Sequence, residues 1–353
     1  MRWLSGRRRT PIGIDIGGRY IKAAQLSRTR NGWRVEAAAS FPRTGQQAGI
    51  DRRQVRHVRD VLFRQGFTGK NVVVAVPRQS LMTGILELPP RASGAPLDEI
   101  ARVEFARVHK CRPESVELAY WDLPRTARAN EATHVMAAAC SHASAGTILD
   151  AFEQEGLEVL ALDIHAWAVA RACKPVLGSE SGITGVLDIG WGSAQLVLLR
   201  RDVVIYERAI GDAGLQPLSA ALGKRLELDS ESLDLLLLEI GARSDSDGQS
   251  KEGQAFDDIR SMISSHLDRI VEELQASFSY AVHRYPDAAV ERVLLLGGGA
   301  SIPGAAEHLA SALSTEVRAV APTDLVDCPG PLLEQYRDPT LTVSIGLAQF
   351  ADG

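Results

Sequence analysis

The sequence has little of what defines several classes of protein. Only four of its 353 residues are cysteine and none forms a CxxC pair, which is typical of the reducing cytoplasm rather than of a disulfide or zinc scaffold. Apolar runs such as Val293–Leu296 are far shorter than the ~18 residues that predict a membrane span. With 39 basic and 44 acidic residues, the chain has no overall positive field for nucleic acid. The remainder, 45% hydrophobic and 24% charged, predicts a cytoplasmic protein of two or three globular domains.

One short pattern occurs twice, 173 residues apart. Each copy predicts three strands separated by short turns. In both copies an aspartate near the end of the first strand is followed two residues later by glycine, as Asp15 and Gly17 and again as Asp188 and Gly190. Asn31-Gly32 between apolar segments is a strong hairpin signal. The repeat therefore predicts two related α/β halves. The predicted strands are 12–16, 21–26 and 33–41 in the first copy, and 186–189, 194–199 and 203–209 in the second.

Some segments occur in only one half of the chain, and these predict additional subdomains. Prolines flank an amphipathic helix near 96–110, a segment with no counterpart in the second copy. A stretch without apolar residues, 243–254, precedes a long helical pattern at about 256–285. We therefore predict a basic flexible tail (1–10), a first core domain (11–68 and 132–182) with an inserted αβ subdomain (69–131), a second core domain (183–228 and 286–353), and a helical subdomain (229–285) with a flexible loop (243–254).

Three glycine-rich turns follow apolar strands, beginning at Asp15, Asp188 and Gly297. Glycines let backbone N–H groups approach a phosphate, and the third turn leads toward a helix whose N-terminus favours anions. A carboxylate at the end of a buried strand needs a partner, and a magnesium–phosphate complex is one. A lone Asp-x-Gly is usually only a turn, but two matched copies favour nucleotide binding. No P-loop or GxGxxG pattern is present.

These motifs resemble those of the actin-like ATPase superfamily, which includes chaperone ATPases, sugar kinases and the cell-division protein FtsA. Residues 13–22 resemble its first phosphate hairpin, 187–192 its second, and 296–304 its adenosine motif. Within the superfamily, segments 74–80, 161–171 and 342–350 resemble the PilM family of type IV pilus assembly. The resemblance covers about 11–350. It implies duplicated actin-like (ribonuclease H-like) domains around a nucleotide cleft, with an FtsA/PilM-type inserted subdomain.

The resemblance also implies a site for ATP and Mg²⁺. Asp15 and Asp188 would hold Mg²⁺ through water, and Lys22 would contact phosphate. Asp163 is the acidic candidate for the catalytic residue, with His165 as the polar alternative. The implied nucleotide-binding residues are Asp15, Gly17, Gly18, Arg19, Lys22, Asp188, Gly190, Gly192, Glu239, Gly297, Gly298 and Gly299.

Departures from the superfamily pattern bear on catalysis. Arg19 and Tyr20 stand where small hydroxyl residues are usual, and Trp191 interrupts the second turn. Ala194 or Gln195 replaces a frequent threonine, and no lysine follows Glu239. Each lost donor weakens binding by about 0.5–1.5 kcal/mol, although Arg19 offers a charge-assisted substitute. We therefore expect slow or absent hydrolysis.

The resemblance further implies a partner. It is the short cytoplasmic N-terminal segment of a PilN-like bitopic inner-membrane protein, bound in a groove beside the insert, with other pilus assembly proteins as further partners. Contact with the membrane is then indirect. Two alternatives stay open within the superfamily. An FtsA-like division protein is expected to carry a membrane helix after Phe350, and a sugar kinase needs a carboxylate base and often a zinc motif, neither of which stands out.

Overall fold

The structure is a computed structural model that describes residues 9–44, 49–125, 132–179, 181–240, 251–329 and 338–350. The strands are β1 (Ile12–Ile16), β2 (Tyr20–Thr29), β3 (Gly32–Pro42), β4 (Asn71–Ala75), β5 (Leu81–Leu88), β6 (Val116–Asp122), β7 (Thr133–Ser141), β8 (Glu158–Asp163), β9 (Ile183–Ile189), β10 (Ala194–Arg200), β11 (Val203–Ile210), β12 (Val290–Leu296) and β13 (Glu316–Ala319). The helices are α1 (Arg52–Arg64), α2 (Leu97–His109), α3 (His142–Glu153), α4 (His165–Cys173), α5 (Leu215–Leu226), α6 (Ser230–Ile240), α7 (Lys251–Arg284), α8 (Ala305–Leu313), α9 (Pro322–Leu325) and α10 (Thr342–Ala348).

Two five-stranded sheets share one topology. Their strand orders are β3-β2-β1-β4-β8 and β11-β10-β9-β12-β13. In each sheet the three strands of the repeated pattern form an antiparallel meander, and the next strand joins in parallel, as β4 beside β1 and β12 beside β9. The predicted duplication is therefore confirmed in the topology.

Local sequence signals set the ends of several elements. Gly32 opens β3 at a φ of 131°, a conformation that favours glycine, so the predicted hairpin forms. The Asp51 carboxylate accepts a hydrogen bond from the Gln54 N–H at 2.8 Å and caps α1. Ser141 likewise caps α3. No helix in the described part of the chain combines the length and apolar character needed to cross a membrane.

The inserted subdomain has different limits from those predicted. The predicted boundary of 69 places β4 in the insert, but β4 lies between β1 and β8 in the first core sheet. The predicted boundary of 131 places β7 in the core, but β7 is the central strand of the insert's own sheet, β5-β7-β6. The insert therefore spans about residues 77–141, with α2 packed on β5. A strand's own residues do not show which sheet it joins, and this caused both errors.

Two predicted flexible segments are also shorter than expected. Arg9 bridges to Ser27 and the Thr10 N–H donates to the Leu26 carbonyl at 2.9 Å, so the end of the predicted tail lies against β2. Helix α7 begins at Lys251, which makes the last part of the predicted 243–254 loop helical. Residues 1–8 and 243–250 lie outside the described residues.

Helices α4 and α10 lie between the two sheets. One buried cluster joins side chains from both helices to the first sheet (Ala24, Val73) and to the second sheet (Val186, Leu294). The helices approach so closely that a methyl group on Gly346 would overlap the carbonyl of Ala168. The halves therefore share a packed core on this side, and their separation on the opposite side forms the cleft.

Candidate functional site

A cavity of about 870 Å³ lies between the halves and is called the cleft below. Its volume falls within the ordinary range for small-molecule sites, about 300–1,000 Å³. Ends of β1 and β9 reach it from opposite sides, together with the turns that follow them. Ten of the predicted nucleotide-binding residues line it: Asp15, Gly17, Gly18, Arg19, Lys22, Asp188, Gly190, Gly192, Gly297 and Gly298.

The first turn holds an acid–base pair. Asp15 on β1 and Lys22 on β2 are register partners, and the Lys22 Nζ lies 3.2 Å from the Asp15 Oδ2. Gly17 closes the turn with a 3.0 Å hydrogen bond from its N–H to the Tyr20 carbonyl. A Cβ on Gly17 would lie 2.7 Å from the Tyr20 carbonyl oxygen, a backbone atom held in the turn, so glycine is required here. Burial lowers the pKa of Lys22, but Asp15 and Asp188 outweigh it and raise the pKa, which keeps the ammonium charged.

The second turn places Asp188 opposite. Its Oδ2 lies 2.9 Å from the Nε2 of His165, which begins α4. Burial raises the pKa of Asp188, but the hydrogen bond and charge of His165 outweigh it and lower the pKa. The pKa of His165 is raised because Asp188 and two further carboxylates outweigh its burial. The His165 Nδ1 is buried without a hydrogen-bond partner among the described residues.

The third turn supports the second. Gly297 adopts a φ of 74°, and a methyl group there would overlap the Asp188 carboxylate, so both backbone and space demand glycine. Gly298 lines the cleft, whereas Gly299 is absent from the lining and packs against Ile189. A short 3₁₀ turn (Gly298–Ser301) separates this motif from α8. The predicted adenosine motif thus contributes two of its three glycines to the cleft wall.

Besides Gly299, two predicted site residues are absent from the cleft lining. Asp163, the catalytic candidate, does not line it, because its carboxylate pairs with Arg171 and accepts the Ile164 N–H at 2.8 Å. The structure places the alternative, His165, in the lining instead. Glu239 is exposed on α6 and is also absent from the lining, to which α6 contributes Asp234, Leu237 and Leu238.

Arg19 is engaged across the cleft. Its Nη1 donates to the Asp234 Oδ1 at 2.7 Å, and its guanidinium carbon lies 4.7 Å from the centre of the Trp191 ring. Arg19 belongs to the first half and both partners belong to the second. We call these three residues the clasp. In this structure the arginine thus bridges the two halves.

The sequence and the fold were compared with known proteins. A family model of the type IV pilus assembly protein PilM matches residues 13–349. The chain belongs to the PilM family.

Solved structures with this fold include three that cover nearly all of this PilM-family chain. A chain of a PilM–PilN type IV pilus biogenesis complex matches with a TM-score of 0.78 and 23% identity, covering 98% of this chain and 99% of that one. The ethanolamine utilization protein EutJ from Carboxydothermus hydrogenoformans matches at 0.55 and 16% identity (97% and 90%). MreB5 of Spiroplasma citri bound to AMPPNP matches at 0.52 and 10% identity (97% and 95%). The predicted actin-like fold is confirmed.

Sequence reasoning missed several cleft residues of this PilM-family protein. Arg78 follows β4 and Glu207 lies on β11, and both line the cleft with Asp234. Arg78 lies in the segment 74–80 that resembles the PilM family, but its contact with Glu207 joins residues more than 100 positions apart, as does the Arg19–Asp234 contact, so no local motif indicates these pairs. The described residues contain no group of three or more His, Cys, Asp or Glu side chains arranged to hold a metal on their own.

Proposed function

We propose that this PilM-family protein binds ATP with Mg²⁺ in the cleft and acts as a scaffold of the type IV pilus or a related secretion machinery. Its partner is the cytoplasmic N-terminal segment of a PilN-like bitopic membrane protein, which gives it an indirect, peripheral position at the inner membrane. Hydrolysis is weak or absent.

The convergence of Asp15, Lys22 and Asp188 on one cleft carries the nucleotide proposal. Asp15 on β1 and Asp188 on β9 are 173 residues apart in the sequence, yet both carboxylates lie close enough to Lys22 on β2 to raise its pKa. Glycines around them leave room that a Cβ would fill at Gly17 and Gly297. A buried charged cluster surrounded by glycine turns fits an anionic ligand that brings its own cation.

The donor set fits Mg²⁺ and phosphate together. Mg²⁺ is usually held by one or two carboxylates, waters and phosphate oxygens, so Asp15 and Asp188 suffice without a dedicated metal cage. Bound Mg²⁺ supplies positive charge that neutralises the phosphates. Lys22 would then contact phosphate as a point charge. Gly297 and Gly298 leave space on the wall of the second half for the nucleoside.

Weak hydrolysis is supported by the side chains at the reacting end of the cleft. The Asp163 carboxylate pairs with Arg171, and the Nε2 of His165 pairs with Asp188, so neither of these two groups is free to take a proton from a water. Small hydroxyl donors are replaced by Arg19 and Tyr20 in the first turn. Turnover at the 1–100 s⁻¹ typical of kinases would contradict this part of the proposal.

Calorimetric titration of the purified protein with ATP and Mg²⁺ tests nucleotide binding. Lys22→Met should weaken binding by roughly 10- to 150-fold, because a hydrogen bond to a charged group contributes about 1.5–3 kcal/mol. Lys70→Met is the matched control, since Lys70 is exposed outside the cleft lining and pairs with Glu158. Absence of binding by the wild type at millimolar ATP would overturn the nucleotide proposal.

The partner proposal rests on family membership and on the fold shared with the chain from the PilM–PilN complex. It is tested by fluorescence anisotropy with labelled N-terminal peptides of bitopic proteins encoded beside this protein. We expect saturable binding by one such peptide and none by its scrambled version. Equal binding of the native and scrambled peptides would remove the support for this partner.

A further inference from the structure

A second acid–base pair lies in the cleft outside the predicted motifs. Arg78 is the third residue after β4 and directly follows Pro77, where the chain leaves the core sheet for the insert. Its Nη1 donates to the Glu207 Oε1 at 3.1 Å and to the Gln195 Oε1 at 2.9 Å. Both acceptors lie on the second half, on β11 and β10. Arg78 therefore bridges the halves at the root of the insert.

Glu207 is unusual for a carboxylate in an ion pair. Its side chain is only 1% exposed, and its Oε2 has no hydrogen-bond partner among the described residues. Burial raises the pKa of Glu207, and His165 and Arg78 offset this only in part. Glu207 engages Arg78 through one oxygen only, so an anion that accepts from two guanidinium nitrogens is a stronger partner; the released Glu207, buried without its counter-charge, would then take up a proton.

Phosphate is such an anion. Arg78, Gln195 and Glu207 line the same cleft as Asp15, Lys22 and Asp188. Arg78 is also 38% exposed, so its guanidinium is accessible from the cleft without prior unfolding. Guanidinium groups bind phosphate through paired, charge-assisted hydrogen bonds.

We propose that Arg78 exchanges Glu207 for the terminal phosphate of a nucleoside triphosphate, and so distinguishes a triphosphate from a diphosphate. The inference rests on the proposed nucleotide function. Glu207 holds the arginine while the terminal phosphate is missing. Because Arg78 begins the connection to the insert, the exchange makes the position of the insert's base depend on whether the terminal phosphate is present.

The test compares affinities for AMPPNP and ADP, both with Mg²⁺, by calorimetry. Arg78→Met should lower the affinity for AMPPNP about tenfold, the effect of one charge-assisted contact, and change that for ADP less than about twofold. Glu207→Gln should raise the affinity for AMPPNP relative to ADP, because the competing charge is gone. Arg91→Met is the control, since Arg91 pairs with Asp122 within the insert and does not line the cleft.

The ratio of the affinity for AMPPNP to the affinity for ADP should fall in Arg78→Met and rise in Glu207→Gln. These opposite shifts would support the exchange, because a merely structural role of the two residues would not produce them. Equal losses for both nucleotides in Arg78→Met, or an unchanged ratio in both variants, would overturn the inference while the proposed nucleotide function stands. A wild type that binds neither nucleotide would overturn both. Circular dichroism and the melting temperature identify any variant that fails to fold, and Arg78→Lys then replaces Arg78→Met with a smaller shift expected in the same direction.

Discussion

Removing Arg19 should loosen the cleft. In the clasp, Arg19 on the first half contacts both Asp234 and Trp191 on the second, and all three line the cleft. Arg19→Met keeps an unbranched apolar stem, shortens the side chain, and removes both its charge and its hydrogen bond. The shared core around α4 and α10 is untouched, so the effect should be confined to opening on the cleft side.

The solvent exposure of the clasp residues limits how much their contacts stabilise the closed cleft. The Arg19 and Asp234 side chains are 23% and 37% exposed, so their ion pair contributes about 0.5–1 kcal/mol, as solvent-screened pairs do. The stacking of Arg19 on Trp191 adds about 0.5–1 kcal/mol. Together about 1–2 kcal/mol would be lost, which changes the ratio of open to closed cleft by roughly 5- to 30-fold.

Stopped-flow binding of a fluorescent ATP analogue measures this ratio, because a ligand enters the cleft only when it is open. The association rate constant should rise roughly 5- to 30-fold in Arg19→Met. It should rise about 2- to 5-fold in Asp234→Asn, which removes the ion pair and keeps the stacking. Arg107→Met, which breaks an exposed pair with Glu104 within α2, should leave it unchanged. An association rate constant that stays the same or falls in Arg19→Met would refute the clasp.

Three further predictions concern stability, each measured by urea denaturation. Gly346→Ala should destabilise the protein by about 1–3 kcal/mol or more, because the added methyl overlaps the Ala168 carbonyl. Gly146→Ala on α3 should instead stabilise it by about 0.5–1 kcal/mol, because the helix there has open space for a methyl group, and a loss would contradict this. Hydrogen bonds from Arg56 and a second arginine of α1 lower the pKa of Glu155 from 4.5 to about 2. This stabilisation is present above pH 4.5 and is lost as the pH falls toward 2, so the stability gap between wild type and Glu155→Gln should narrow only below pH 4.5.

The elements of the two meanders could be predicted from sequence almost residue by residue. Their alternating apolar pattern and short turns are local signals, and β1 was predicted with the bounds it has in the structure. The sheet to which β4 and β7 belong was not predictable in the same way. Pairing is a long-range property, and the matching parallel pairing of β12 with β9 in the second half is likewise seen only in the structure. Strand β8 escaped prediction because its six residues run directly into α4.

The same distinction between local signals and long-range contacts applies to the residues of the site. Asp15 and Asp188 were found because the repeat placed them in matching positions. Arg78 and Glu207 were not, although Arg78 lies in the family-like segment 74–80, because a pairing across 129 residues cannot be inferred from either local segment. Asp163 and His165 differ by two positions at a strand–helix junction, and the structure turns the first toward Arg171 and the second toward the cleft. Which of the two residues faces the cleft depends on tertiary packing, which cannot be inferred from composition or motif spacing.

The position of the insert links its surface to the cleft. Both of its ends join the first half, yet Trp121 on β6 donates through its indole N–H to the Val204 carbonyl on β11 at 2.8 Å. Leu123 and Met136 of the insert also belong to the buried cluster of the second sheet. A change in the angle between the halves must therefore disturb these contacts, just as it disturbs the Arg78 bridge at the insert's root. A partner that binds the insert and prefers one angle between the halves is then coupled to cleft closure. If that partner changes the affinity of the cleft for its ligand by some factor, the ligand must change the affinity for the partner by the same factor.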